Sequence, residues 1–177
     1  MKFLFLTAAL LLSVSAFATP TTIILSRHAE KQKGDNPELT DEGKKRAKTL
    51  KELAHVYDFA GVYSSDTKRT VGTAKPLAEE VNLKVNTTFA PDNFKGMTDD
   101  IVAKYAGKTV LVVGHSNTIP GFLNYLTGSK IYKDFDDNDF SNLFVVQYDG
   151  PGKAIVQRFN QRANEESKKL ILDPRSN

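Results

Sequence analysis

The sequence predicts an α/β fold in a single domain, and three observations carry that reading. Residues 21–25 (Thr-Thr-Ile-Ile-Leu) form a continuous β-branched and apolar run, with the length and composition of a strand covered on both faces in a parallel sheet. Further apolar runs at residues 61–63 and 109–113 are each followed by cap-type residues and a helical segment. Beyond each run lies a cationic or imidazole side chain, Arg27-His28, Arg69 and His115 in turn, and open α/β sheets bind ligands beyond the carboxyl ends of their strands.

Ahead of the first strand, residues 1–18 have the layout of a secretory signal. Lys2 forms a positive start, residues 3–12 an apolar core, and Ala16-Phe17-Ala18 an A-x-A cleavage pattern, so the mature chain is expected to begin at Thr19. The apolar core falls short of the roughly 20 residues that a spanning helix requires, so no membrane anchor is expected once the signal is removed. Export predicts a periplasmic or secreted bacterial protein. The absence of cysteine excludes disulfides, thiolate nucleophiles, Cys-ligated zinc and a lipidated cysteine. The formal net charge is only +3, and no run of Lys or Arg is interleaved with aromatics, which argues against a nucleic-acid partner.

After the first strand, residues 31–37 read as a polar loop overhanging the strand end, with Gly34, Asn36 and Pro37 as turn formers. Thr40 then has the character of a helix N-cap, followed by Asp41 and Glu42 where acids complement the helix dipole. Ala47, Leu50, Leu53 and Ala54 recur at helical spacing, while Lys44, Lys45, Lys48 and Lys51 form a solvated face. His55 closes this segment as a polar residue without an assigned role.

In the second unit Asp66 is the expected N-cap, which puts Arg69 in the first helical turn beside free backbone N–H groups that suit an anion. Pro76 is expected to break that helix after Ala74, with residues 77–81 continuing separately. Residues 84–88 alternate as a third strand, residues 89–100 read as an irregular loop over the site, and residues 101–105 as a short helix ending near Gly107. The strand at 109–113 leads into Gly114-His115-Ser116-Asn117, where Asn117 or Thr118 caps a helix with Pro120 in its first turn and Gly128 at its end. Residues 130–141 carry Asp134, Asp136, Asp137 and Asp139 but lack calcium-loop spacing, so they read as a solvated loop. Residues 143–148 and 154–159 flank Asp149-Gly150-Pro151-Gly152 as a closing hairpin, and the charged tail after Arg162 is expected to fray.

Three strand ends thus supply Arg27 and His28, Arg69, and His115. Planar guanidiniums grip phosphoryl groups bidentately, and a neutral imidazole among them could attack phosphorus to form a phosphohistidine. Arg69 and His115 would then stabilise charge on the equatorial oxygens.

These residues resemble the histidine phosphatase superfamily, which includes the cofactor-dependent phosphoglycerate mutases and many phosphatases. Its Arg-His-Gly signature is similar to Arg27-His28-Ala29-Glu30, and its Leu-Thr-x-x-Gly segment to Leu39-Thr40-Asp41-Glu42-Gly43. The arginine motif is matched from Tyr63-Ser64-Ser65-Asp66 through Arg69-Thr70 to Thr73-Ala74, and the second histidine motif by Val112-Val113-Gly114-His115. The resemblance implies a phosphoglycerate mutase-like fold, a mostly parallel sheet with helices on both faces. It implies His28 as the phosphorylated nucleophile, Arg27 and Arg69 as phosphate ligands, and His115 as the group completing the pocket. Ala29 replaces the usual glycine, as in exported relatives such as the lipopolysaccharide core heptose phosphatase.

The general acid does not follow the family pattern. No glutamate lies between Glu80 and Glu165, and Ser116 occupies the position where another branch carries an aspartate. Asp92 is the favoured candidate by location, with Asp99 and Asp100 as alternatives. Small phosphohistidine phosphatases of the family manage without an obvious acid, because a good leaving group needs less protonation. The expected function is an exported, metal-independent phosphatase, with no cofactor, acting on a phosphorylated small-molecule, phosphohistidine-type or cell-envelope substrate. The alternatives are a non-catalytic phosphate-binding module and, less favoured, a mutase-type phosphotransferase.

Overall fold

The computed structural model describes residues 19–161, so the expected signal segment and charged tail lie outside the described residues. Six strands form one sheet in the order β3-β2-β4-β1-β5-β6: β1 Thr21–Arg27, β2 Phe59–Ser64, β3 Val85–Asn86, β4 Thr109–Gly114, β5 Asn142–Tyr148 and β6 Ala154–Asn160. The pairings of β1 with β4, β4 with β2, and β2 with β3 are parallel. The closing hairpin adds β5 and β6 antiparallel to β1.

Side-chain alternation along the strands divides the core into two layers. Ile23 and Leu25 of β1 and Val110 and Val112 of β4 face α3 (Phe94–Tyr105) and α4 (Thr118–Thr127), where Met97, Ile101, Phe122 and Leu126 are buried. Ile24, Leu111, Val113 and Val62 face the opposite way, against Leu50 of α1 (Asp41–Lys51) and Ala74 and Leu77 of α2 (Lys68–Glu80). β1 therefore has apolar side chains on both faces, which is why its sequence is a continuous apolar run. Among the described residues no helix is long and apolar enough to cross a membrane.

Several expectations need correction. Pro76 does not break α2, which runs unbroken from Lys68 to Glu80. The proline removes one helical hydrogen bond, but Thr73, Ala74, Leu77 and Ala78 on either side of it are buried, and their packing holds the turn. Asp66 is exposed and is not the cap; Thr67 occupies that position, one residue later, so Arg69 still falls in the first turn.

Residues 89–100 are only partly irregular, because α3 begins at Phe94. Asn93 caps it by accepting from the Gly96 N–H, and Met97 and Ile101 bury its inner face. The third strand shortens to Val85–Asn86. Thr40 behaves as expected, its hydroxyl accepting from the Gly43 N–H at 3.1 Å.

Residues 130–141 are the largest departure from a solvated loop. Asp136 and Asp139 each accept from the backbone N–H two residues on, making Asx turns that leave neighbouring carbonyls free to point inward. Tyr132 and Phe135 pack against Phe144 of β5, fastening the loop to the sheet.

Candidate active site

Strand register brings the site together. Arg27 lies opposite Gly114, and Ser64 opposite Val113, so β1, β4 and β2 end side by side at their carboxyl edge. The residues that follow, His28, His115 and the Ser65-to-Arg69 turn, converge above that edge. Arg27 and His28 are buried.

The Arg27 guanidinium is clamped by the 130–141 loop. Nη1 donates to the carbonyls of Asp136 at 2.7 Å and Asp139 at 3.0 Å, and Nη2 to that of Asp137 at 3.1 Å. The Phe140 ring covers it, 4.3 Å from the guanidinium carbon. Nε–H and one Nη2 hydrogen remain, a pair that can grip two oxygens of one phosphoryl group. Arg27 Nε and Arg69 Nε are both buried without a hydrogen-bond partner among the described residues. Burying an N–H donor unpaired is costly, so two such donors in one cluster mark a place for an acceptor-rich guest.

The His28 ring is set by its own chain. Nδ1 lies 2.8 Å from the Ala29 carbonyl oxygen, which can only accept, so Nδ1 carries the hydrogen. Burial, with Arg27, His115 and Arg69 nearby, lowers the His28 pKa to about 4. Its Nε2 therefore carries a free lone pair at neutral pH. The His115 ring stands 5.5 Å away at 66°, and Phe140 flanks His28 on another side at 5.9 Å. Burial, Arg69 and Arg27 also lower the His115 pKa to about 4.

The segment carrying His28 is fixed from behind. Its backbone N–H donates to the Gly114 carbonyl, and the Ala29 N–H to the Thr73 hydroxyl on α2 at 2.9 Å. The Glu30 carbonyl accepts the Thr40 N–H, bringing α1 so close that a Cβ on Gly43 would lie 2.1 Å from that oxygen. Glycine at position 43 is thus a packing requirement. Arg46 bonds both carboxylate oxygens of Glu30, at 3.0 and 2.9 Å through Nε, and donates to the Gln161 carbonyl at 2.6 Å. Burial acts to raise the Glu30 pKa, and the Arg46 hydrogen bonds outweigh it and leave it lowered.

Arg69 and His115 meet at 3.4 Å through Nη2 and Nδ1. His55 lies outside the cluster, exposed and 3.6 Å from Glu52. The three aspartates proposed from sequence are not drawn in. Asp99 pairs with Lys95 at 2.6 Å on the surface. Asp100 accepts from the Tyr63 hydroxyl at 2.6 Å and pairs with Lys104, and those bonds lower its pKa. Asp92 is exposed in the turn before α3, and no hydrogen bond among the described residues ties its carboxylate to the histidines. Its neighbour Pro91 does line a small cleft with Ser65, Gly114 and Thr118 beside His115.

Sequence reasoning missed Phe140 and the carbonyl clamp, because an aromatic in an acidic loop carries no local signal of what it covers. It also missed the Thr73 hydroxyl that holds the Ala29 N–H, although Thr73 lies within the arginine motif. Among the described residues no group of three His, Cys, Asp or Glu side chains could hold a metal ion.

Residues 23–90 match the family model of the histidine phosphatase superfamily, branch 1. The fold resembles that of a protein histidine phosphatase, SixA, with a TM-score of 0.65 and 14% identity over 78% of this chain and 96% of that one. A mutant phosphoserine phosphatase from Entamoeba histolytica aligns with a TM-score of 0.61 and 16% identity, covering 79% of this chain and 96% of that one. A mycobacterial glucosyl-3-phosphoglycerate phosphatase aligns with a TM-score of 0.63 and 14% identity, covering 80% and 99% respectively. A comparison with curated proteins finds no match.

Proposed function

We propose that the chain is a metal-independent phosphatase of the histidine phosphatase superfamily, whose family model matches residues 23–90, and that it hydrolyses phosphomonoesters, or phosphohistidine-type substrates, through a phospho-His28 intermediate. The observation that carries this reading is the state of His28: a buried neutral imidazole whose Nδ1–H is tied to the Ala29 carbonyl, beside two guanidiniums with unpaired buried Nε–H donors.

In the first step His28 Nε2 forms a bond to phosphorus as the phosphorus–oxygen bond to the leaving group breaks. Arg27 and Arg69 hold the equatorial oxygens, where charge is spread in the transition state. In the second step a water oxygen displaces Nε2, giving inorganic phosphate and restoring the neutral ring; one proton of that water is lost and the leaving group gains one. Asp92 remains the candidate for delivering that proton, as the neighbour of Pro91, which lines the cleft with Ser65 and Gly114. The pairing of Asp99 and Asp100 with lysines supports Asp92 over them, and an activated leaving group would need little help from any acid.

Export with removal of residues 1–18 belongs to the same proposal, supported by Lys2, the apolar core and Ala16-Phe17-Ala18. The test is phosphate release from a panel of phosphomonoesters and a phosphohistidine peptide with EDTA present, beside His28→Ala. Wild-type turnover that chelator leaves unchanged and His28→Ala abolishes is the expected result; turnover restored only by added metal overturns it. N-terminal sequencing of protein recovered from bacterial periplasm should begin at Thr19.

A further inference from the structure

Behind His115 lies a chain of buried hydroxyls that the proposed reaction does not use. Ser65 Oγ is 2.8 Å from His115 Nε2 and 2.9 Å from Thr70 Oγ1. Thr70 Oγ1 is itself 2.8 Å from the Ser65 carbonyl and 3.0 Å from the Thr67 carbonyl, and Thr67 Oγ1 lies 2.7 Å from it. Ser65 and Thr70 are both buried, so each hydrogen must be placed within this network.

Two placements satisfy the hydroxyls: Ser65 donates to Thr70 and accepts from His115 Nε2–H, or Thr70 donates to Ser65 and Ser65 to Nε2, because the Ser65 carbonyl also accepts from the Thr67 N–H and the Ser64 hydroxyl, and the Thr67 carbonyl from the Val71 N–H. The other side of the ring decides between them: Nδ1 faces Arg69 Nη2, and a guanidinium only donates, so Nδ1 is the lone pair, Nε2 carries the hydrogen, and Ser65 Oγ accepts it while donating to Thr70 Oγ1.

We propose that Ser65 is a positioning residue, its hydroxyl, oriented by Thr70 and Thr67, fixing the Nε2–H tautomer of His115 so that Nδ1 faces Arg69 and the phosphoryl site. The tautomer stands on the hydrogen-bond geometry alone; its benefit to turnover rests on the phosphatase reading above. With Nε2 already protonated and held, any proton His115 gains when a phosphate dianion binds goes to Nδ1, the nitrogen that can donate to that dianion. The charged and titratable groups around His115 are Arg69 of α2 and Arg27 and His28 at the end of β1.

The experiment is 15N NMR of histidine-labelled protein at neutral pH, with His28→Ala and His55→Ala used for assignment, alongside kcat and KM. Wild type should give an Nε2–H signature at His115. Ser65→Ala should shift His115 toward mixed tautomers and lower kcat about 10- to 100-fold, by analogy with the loss of a partner that orients a metal-bound histidine. Ser65→Thr, which keeps the hydroxyl, should restore both. Thr70→Val, which frees the Ser65 hydrogen to point at His115, should mix the tautomers more weakly without removing Ser65.

An unchanged His115 signature in Ser65→Ala and Thr70→Val overturns the proposal whatever happens to activity, since lost turnover alone would mean a merely structural serine. A shifted signature in a protein whose wild type never turns over would instead leave the tautomer assignment standing and defeat the phosphatase reading.

Discussion

His28 and His115 stand at the ends of neighbouring parallel strands, 5.5 Å apart, and both are neutral with pKa values lowered to about 4. They differ in which nitrogen carries the hydrogen and in what holds it there. His28 is protonated on Nδ1 by a backbone carbonyl one residue away, so Nε2 is the free lone pair. His115 is protonated on Nε2 by a serine hydroxyl fifty residues away in sequence, so Nδ1 faces the site. The tautomer of the nucleophile candidate is set by main chain. The supporting histidine depends on side chains and can be misoriented by one substitution.

Substitutions should separate the two roles, beginning with the largest loss. His28→Ala should abolish turnover, while His115→Ala should cost about 10²- to 10³-fold in kcat, the scale for removing one transition-state donor. Equal and partial losses from the two variants, measured by phosphate release, would mean that neither is the nucleophile. Arg27→Lys should follow, with kcat/KM lowered about 10²-fold, because lysine cannot satisfy three loop carbonyls and still present a bidentate edge. Ser65 variants act on His115 alone.

Gly43→Ala should disturb the His28 side only. A Cβ 2.1 Å from the Glu30 carbonyl must push α1 off the segment that carries His28, costing about 1–3 kcal/mol as for an overpacked core, read by denaturant unfolding. The His115 tautomer should survive that change.

Both histidines also share a pH dependence of stability. Each has a folded pKa of about 4 against 6.5 for the free side chain, so between those values the unfolded chain binds more protons. Stability is full above about pH 6.5 and falls as pH drops toward 4. The thermal midpoint should decline across that window, and less steeply in His28→Asn or His115→Asn; a midpoint that rises on acidification would contradict the burial of neutral rings.

The same contrast explains what was legible in the sequence. The strands at Thr21 and Thr109 announce themselves because burial on both faces demands continuous apolar runs, and His28 and His115 follow them directly. Thr40 is readable because capping is local chemistry within three residues. Pro76 misleads because local propensity gives way to the burial of Ala74, Leu77 and Ala78 around it. The start of α3 is obscured by Gly96 and the acidic pair Asp99 and Asp100, although Asn93 sits in the capping position. The Arg27 clamp is invisible because its acceptors are backbone carbonyls, which any residue type provides; the Asx turns of Asp136 and Asp139 shape the loop without telling what its carbonyls hold.

The most direct test of the central assignment is rapid quench of the wild-type protein with a 32P-labelled phosphomonoester, followed by mapping of the labelled peptide. The account predicts a base-stable, acid-labile phosphoryl group on the peptide containing His28, formed and consumed at rates compatible with kcat and absent from His28→Ala. Phosphate release without any phosphorylated His28, or with the label on His115, would contradict it.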